Sequence, residues 1–360
     1  MIAPPDTRSE CIAPPERIAV VSDAWFPQIN GVVRVMETVR TKLVARGHTV
    51  EVIAPNRFRT LPCPSYPEID LALFPGRRLA AMLIKFRPEA IHIATEGPLG
   101  QAARKWCRYN KIPFTTAYHT KFPEYVHART RLPLNWLYAF MRRFHAPSSA
   151  VLAPSPSVYR ELIGRDFTNV KAWSHGVDAE TFRPQAKSFL NLPRPVHMFV
   201  GRLAVEKNLP GFLALDLPGS KVVVGNGPDR ARLIAAYPEA HFFTANGDDE
   251  LSRYFAAADV FVFPSRTDTF GLTMLEALAS GVPVAAFPVT GPLDVLGLLG
   301  PGETEVGCLN VDLARAVACA LDKSADACRT YAQQFTWDRV VEEFLSFLHP
   351  IQQPLSGPQV

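Results

Sequence analysis

Cysteine is scarce and unpatterned in this chain. Six occur in 360 residues, at 11, 63, 107, 308, 319 and 328, and no two are separated by two residues. That spacing argues against a zinc cluster and leads to the expectation of free thiols in a reducing compartment. No uncharged apolar run of about 18 residues occurs, so no transmembrane helix is expected. The first residues lack a basic segment followed by an apolar one, so no signal peptide is expected either. Zinc-finger and RNA-recognition signatures are missing, which argues against nucleic acid as a partner. On these absences a cytoplasmic protein is expected.

What is present supports real cores. Hydrophobic residues make up 48% and aromatics 10% of the chain, well outside the range of disordered sequences. The net charge of +4 conceals an asymmetry. Residues 1–175 hold 24 Lys and Arg against 13 Asp and Glu, a balance of +11, whereas residues 176–360 have a balance of −7. Only the first half is therefore suited to an anionic surface, and a membrane face fits better than nucleic acid.

The apolar pattern runs in two series. In the first, a strand at 17–23 leads through a turn-rich loop to a helix at 32–46, then to a strand at 49–54. Further buried strands are expected at 90–94, 113–117 and 150–153, with a helix at 98–110. The second series begins after Gly176-Val177-Asp178, with strands near 196–200, 221–225, 240–243, 259–263 and 283–287. Helical patterns near 229–237, 249–257 and 272–280 separate them. Alternation of this kind predicts an α/β fold of two doubly wound, Rossmann-like domains facing across a cleft. Residues 17–175 form the first domain and 176–335 the second. An amphipathic helix follows at 336–348, and loose tails are expected at 1–16 and 349–360.

The stretch Val262-Phe263-Pro264-Ser265-Arg266-Thr267-Asp268-Thr269-Phe270-Gly271-Leu272-Thr273-Met274-Leu275-Glu276 carries the strongest chemical signal. It reads as a buried strand, a polar loop and a helix. A helix N-terminus has free N–H groups and partial positive charge, which suit a phosphate. Asp268 precedes the helix and Glu276 lies within it, eight positions later. Two carboxylates flanking a phosphate seat suit a sugar nucleotide. On spacing alone an ordinary strand–loop–helix unit with a solvated glutamate remains the alternative. The segment resembles, however, the donor-site motif of retaining family 4 glycosyltransferases, in which an acid, seven positions and a Glu bracket a Phe-Gly-Leu run. That family mostly has Glu at the first position, where this chain has Asp268, one methylene shorter.

Four other segments extend the resemblance, which runs from about residue 17 to 348. Gly201-Arg202-Leu203-Ala204-Val205-Glu206-Lys207-Asn208 resembles the family's Gly-Arg…Glu-Lys-Asn motif. Two cations at a strand end can clamp a diphosphate as it leaves, so Arg202 and Lys207 are the expected ligands. Asn30-Gly31 closes the first strand–helix loop, and the family's equivalent loop covers the diphosphate from the other domain, which points to Gly31. Gly225-Asn226-Gly227-Pro228 resembles a family turn but reads as structural. Tyr118-His119-Thr120-Lys121-Phe122-Pro123-Glu124 follows a strand end, where family members carry a histidine that positions the transferred sugar. His119 is the corresponding residue. Glu96 and Glu124 are expected on the acceptor side.

The resemblance implies the GT-B fold with the last helix crossing back onto the first domain. It implies that Glu276 holds the donor ribose and Asp268 the sugar hydroxyls. Phe270, Gly271, Leu272 and Thr273 would present backbone groups to the sugar and β-phosphate. No two aspartates are separated by one residue, so the metal motif of the other major glycosyltransferase fold is missing and metal-independent transfer is expected. The likeness is strongest to bacterial enzymes that transfer hexoses or hexuronic acids from UDP-sugars to diacylglycerol. Residues 134–145 combine Trp136 and other aromatics with Arg142 and Arg143. Such a helix suits either a core edge or the interface of an anionic membrane, so peripheral attachment to the inner face of the cell membrane is the expected location. The rival readings are a family 4 enzyme that uses GDP-mannose or a soluble acceptor, and a non-catalytic sugar-nucleotide-binding or scaffolding protein.

Overall fold

Two parallel sheets, each wrapped by helices, organise the chain in the computed structural model, which describes residues 14–28, 30–63 and 66–352. The first sheet has the order Thr49–Ile53, Arg17–Val21, Ala90–Ile93, Thr115–Ala117, Ala150–Ala153, Val170–Ala172. All its pairings are parallel. The second runs His241–Phe243, Ser220–Val224, Val196–Val200, Val260–Phe263, Val284–Ala286, Gly307–Leu309, Gly302–Thr304. Only its last strand is antiparallel. Residues 18–21, Val196–Val200 and Val260–Phe263 are short runs, apolar except for His197, and buried on both faces, as central parallel strands require.

The helix Gly31–Ala45 illustrates how local sequence sets the elements. Asn30 caps it by accepting from the Val33 amide at 3.0 Å. Val33, Met36, Val39 and Leu43 form its buried stripe at helical spacing. Loops beyond the strands of the two sheets meet, as where Thr269 Oγ1 donates to the His119 carbonyl at 3.0 Å, and the carboxyl ends of such strands are where these folds bind ligands.

The helix Trp337–Phe347 packs on the first domain, not the second. Its Trp337, Val340, Val341 and Phe344 share one core with Ile18, Val20, Met36, Val39 and Trp173. The Trp173 indole donates to the Val340 carbonyl at 2.9 Å. Lys42 and Arg46 both reach Asp338 at 3.2 Å. Gly176 makes the crossover possible: a Cβ there would lie 2.6 Å from the Trp337 amide nitrogen. Glycine is the residue that lets two backbones approach so closely.

The structure departs from several expectations. Cys308 and Cys319 form a disulfide, their Cα atoms 6.1 Å apart. They lie 11 residues apart in sequence, on the strand Gly307–Leu309 and on the helix Leu313–Ala320 that folds back over it. The chain reversal, invisible in the spacing, creates the pair, so the expectation of free thiols fails for these two. Cys63, Cys107 and Cys328 are free, and Cys11 lies outside the described residues. Residues 14–16, assigned to a loose tail, are held: the His48 ring meets the Pro15 carbonyl at 2.8 Å and the Glu16 amide donates to Glu89 at 2.7 Å. The Ile351 amide likewise donates to the Glu89 carbonyl at 2.7 Å. Residues 1–13 and 353–360 of the expected tails lie outside the described residues. Among those described, no helix is long and apolar enough to cross a membrane.

Candidate active site

The residues expected at the donor seat lie on and between the strand Val260–Phe263 and the helix Leu272–Ala279. Gly271 joins them at φ +92°, in the left-handed region, and a Cβ there would lie 2.5 Å from Met274 Cε. Glycine thus starts the helix abruptly, and the Leu272 and Thr273 amides open it without acceptors in a preceding turn. Leu272 and Thr273 are half-buried, while Phe270 is buried with its ring centroid 5.0 Å from that of His175.

Each of the two acids has one oxygen held by a cation and one left over. Asp268 Oδ1 meets Lys207 Nζ at 2.6 Å, and Oδ2 is buried with no protein partner. Glu276 Oε1 meets Arg34 Nη2 at 3.0 Å, and Oε2 is likewise buried without a partner. A buried carboxylate oxygen with nothing to accept from is costly unless a ligand supplies the donor. Burial pushes the Glu276 carboxyl above its ordinary value, Arg34 pulls it down, and Asp248 pushes it up again. Asn208 pins the loop carrying Lys207 to the Asp268 loop by donating to the Pro264 carbonyl at 3.0 Å. Arg202 is half-buried just beyond the strand Val196–Val200.

The first domain meets this seat directly. Arg34 reaches Glu276 from one turn inside the helix that Gly31 begins. Gly31 is exposed, and a Cβ built there meets nothing within 4 Å. Packing of the protein alone therefore does not require glycine at this helix start. A Gly31→Val variant should melt at the wild-type temperature but bind the nucleotide about tenfold more weakly, the cost of roughly 1.4 kcal/mol. Calorimetry on the pure protein checks this, and unchanged affinity would remove Gly31 from the seat.

His119 lies at the domain junction, where its carbonyl accepts from Thr269 Oγ1 of the donor loop at 3.0 Å. Its ring stacks on His175 at 6.2 Å and meets Trp173 at 6.0 Å. Burial, with His175 and His92 nearby, holds His119 well below the ordinary histidine value. Its Nε2 is buried without a partner. Burial also pushes His175 down to about 4. Both rings are therefore neutral near pH 7 and suited to hydrogen bonding rather than to charge stabilisation.

The two acids expected on the acceptor side, Glu96 and Glu124, each have a polar neighbour in the first domain. Glu96 Oε1 lies 3.3 Å from His145 Nε2. Tyr138 places its hydroxyl between Glu124 at 2.6 Å and Glu161 at 2.8 Å. Lys121 pairs with Glu161 at 3.0 Å and reaches Thr290 of the second domain at 3.4 Å. Gly291, beside Thr290, lies against the donor loop: a Cβ there would sit 2.7 Å from the Phe270 carbonyl oxygen. One chain of contacts thus links Glu124 to the loop that carries Asp268 and Phe270.

The helix Leu134–His145 has two faces. Tyr138, Met141, Phe144 and His145 are buried. Trp136 is 72% and Phe140 49% exposed, with Arg143 exposed beside them. Arg142 is engaged differently, by Asp166 at 3.2 Å and the Arg165 carbonyl at 3.1 Å. One cluster with metal-ligand geometry occurs among the described residues, Glu303, Cys308 and Cys319. Its two cysteines are joined as a disulfide and offer no thiolate.

Arg34 and His175 were missed by sequence reasoning. Arg34 reads as the solvated face of an amphipathic helix. His175 directly precedes the Gly-Val-Asp turn that marks the domain junction, and that adjacency was the available signal.

The family profile described as Glycosyltransferase Family 4 matches residues 29–181, and that of Glycosyl transferases group 1 matches residues 194–323. The chain is 33% identical to a GDP-mannose-dependent alpha-mannosyltransferase of Mycobacterium tuberculosis over 322 residues, covering 80% of this chain and 85% of that one. It is 28% identical to an alpha-monoglucosyldiacylglycerol synthase of Streptococcus pneumoniae, covering 75% and 70% respectively. Among solved structures, a sucrose-phosphate synthase from Thermosynechococcus elongatus superposes with a TM-score of 0.74 at 20% identity, covering 91% of this chain and 97% of that one.

Proposed function

The chain belongs to glycosyltransferase family 4, a hexosyltransferase of the GT-B fold, and from that premise we propose a retaining, metal-independent transfer from a nucleotide sugar to a lipid hydroxyl. The sugar is a hexose or hexuronic acid, UDP its carrier and diacylglycerol its acceptor. The observation that carries the donor assignment is the paired state of the two acids. Asp268 and Glu276 each keep one oxygen on a cation and one buried and unpartnered. Glu276 Oε2 would accept from the ribose and Asp268 Oδ2 from a sugar hydroxyl.

Between them, the Leu272 and Thr273 amides and the Arg202 and Lys207 side chains would bear the diphosphate charge. The sugar C1–oxygen bond to phosphate breaks while the bond to the acceptor oxygen forms on the same face. The acceptor proton passes to the departing phosphate oxygen. His119, neutral and with Nε2 unpartnered, would orient the sugar, and no protein nucleophile is required. Charge on the leaving group is met by Arg202, Lys207 and the helix start, the role a metal plays elsewhere.

Two observations support the lipid acceptor. Trp136, Phe140 and Arg143 form an exposed aromatic-basic face, and one relative is named for a glycosyldiacylglycerol product. A second reading, transfer of mannose from GDP-mannose, is favoured by the 33% identity to a mannosyltransferase named for that donor. The test is nucleotide release from UDP-glucose, UDP-galactose, UDP-glucuronate and GDP-mannose in EDTA, with and without diacylglycerol in anionic mixed micelles. Lipid-dependent UDP release is expected. GDP release would replace the donor, lipid-indifferent release the acceptor, and loss of activity in EDTA the metal-free mechanism.

A further inference from the structure

The contact least accounted for by this reading is the ion pair that crosses the cleft. Arg34 Nη2 stands 3.0 Å from Glu276 Oε1 and also 3.0 Å from Asp248 Oδ1. One nitrogen of the first domain thus bridges two carboxylates of the second. The Arg34 side chain is 29% and that of Glu276 7% exposed, so the pair is largely withdrawn from water. The guanidinium also lies 5.9 Å from the centre of the Phe182 ring.

We propose that Arg34 is a positioning residue for the donor: it fixes Glu276 by one oxygen and so presents the other oxygen to the ribose. Because Arg34 comes from the opposite domain, the ribose end of the seat is complete only when the two domains close on each other. This rests on the reading that Glu276 holds the ribose.

The geometry separates positioning from blockade. A guanidinium that shut the seat would use its fork to cover both carboxylate oxygens. Here it takes Oε1 alone, shares that nitrogen with Asp248, and leaves Oε2 buried and open to a donor. A ribose hydroxyl donates to Oε2 best when the group is a carboxylate rather than an acid.

The charges around Glu276 make Arg34 decisive. Glu276 and Asp248 share the Arg34 guanidinium, and several charged groups on the elements packed against Glu276 are engaged elsewhere. Arg329, on the packed helix Ala325–Ala332, donates to the carbonyls of Phe182 and Ala279. Asp294, on Thr290–Leu296, accepts from Ser157. Glu250, on Asp248–Ala257, accepts from Asn246, while Arg253 stacks on Phe189. The strands Val260–Phe263 and Val284–Ala286 carry no ionisable side chain. Burial already raises the Glu276 carboxyl, and Arg34 opposes that rise. Without Arg34 it must rise further. Binding that needs the carboxylate is present above its pKa and lost as pH falls through it, so the loss begins at higher pH in a variant lacking this cation.

The experiment is calorimetric titration of the full chain with UDP and with GDP between pH 5.5 and 8.5, following the tighter binder. Arg34→Met should bind about tenfold more weakly than the wild type at pH 8.5, and the gap should widen by about a further tenfold by pH 5.5. Arg34→Lys should restore the wild-type pH profile. If the methionine variant does not fold, Arg34→Gln makes the same comparison, keeping a hydrogen-bond donor without the charge. Weaker binding with an unchanged pH profile would reduce Arg34 to a structural contact and overturn the proposal. Tighter binding would make the pair an inhibitory latch and overturn it too. Glu276→Gln separates the two levels of failure. If it binds nucleotide as the wild type does, the ribose assignment itself is wrong; if it binds weakly while Arg34→Met does not, only this inference falls.

Discussion

Asp268→Ala is expected to lower turnover about tenfold to a hundredfold while changing nucleotide affinity only a few-fold. The asymmetry follows from position. The proposed donor seat puts Asp268 at its sugar end, with Oδ1 on Lys207 and Oδ2 buried and unpartnered. A hydrogen bond to a charged group contributes about 1.5–3 kcal/mol, and at the transferred sugar that energy bears on the barrier rather than on nucleotide binding. The variant also frees Lys207, whose side chain is 21% exposed, from the carboxylate 2.6 Å away. Lys207 then turns wholly to the diphosphate, which preserves or tightens nucleotide binding as sugar orientation is lost. Steady-state turnover with the preferred donor and calorimetry with its nucleotide read the two effects separately. Wild-type kinetics in Asp268→Ala would remove the sugar assignment. Equal losses in turnover and nucleotide affinity would instead make Asp268 a support for Lys207. Asp268→Glu asks what the missing methylene contributes, since glutamate is the residue the family mostly uses here.

What the sequence made legible was local. The strand, loop and helix at 260–279 are contiguous, so apolar runs and one glycine place Asp268, Gly271 and Glu276 without reference to the rest of the fold. The loop bearing Arg202 and Lys207 is legible for the same reason. The contacts that complete the seat are not local. Arg34 and Glu276 are separated by 242 positions, and the Cys308–Cys319 bond depends on a helix folding back over its own strand. Periodicity gives the face of a helix but not the domain that face will meet.

Weak signals account for the missed elements. The helix Phe122–Thr130 starts with a proline in its first turn and has little amphipathic character, so no apolar stripe announces it. The antiparallel pair Thr60–Cys63 and Tyr66–Ala72 carries Pro62 and Pro67, residues that count against a strand except at an edge. The helix Leu134–His145 was ambiguous between core and membrane because it serves two faces. Its buried side holds Tyr138 and Phe144, and its open side Trp136 and Phe140.

That open side leads to the second large effect. The triple variant Trp136→Ser, Phe140→Ser, Arg143→Glu should lose roughly a thousandfold in partition onto anionic vesicles. Each aromatic, already exposed, contributes on the order of 1 kcal/mol or more when its ring enters the interface. A basic residue near an anionic surface contributes about 1 kcal/mol, and reversing its charge costs about twice that. Together these reach about 4 kcal/mol, hence the factor. Further basic residues stand nearby: Arg104 donates to the Arg143 carbonyl, and Arg108 and Arg143 both weaken its hold on its proton after burial does. Mutual repulsion of this kind is relieved by an anionic surface, so wild-type binding should also fall with salt. None of the three side chains contributes to the buried cores or the donor seat, so melting temperature and nucleotide affinity should hold. Vesicle sedimentation with neutral and anionic lipid, beside turnover on micelle-dispersed acceptor, distinguishes the outcomes. Undiminished binding would assign the membrane to another face. Lost binding with full turnover on dispersed acceptor would mean the helix delivers the enzyme to its lipid and leaves acceptor recognition to the cleft around Glu124.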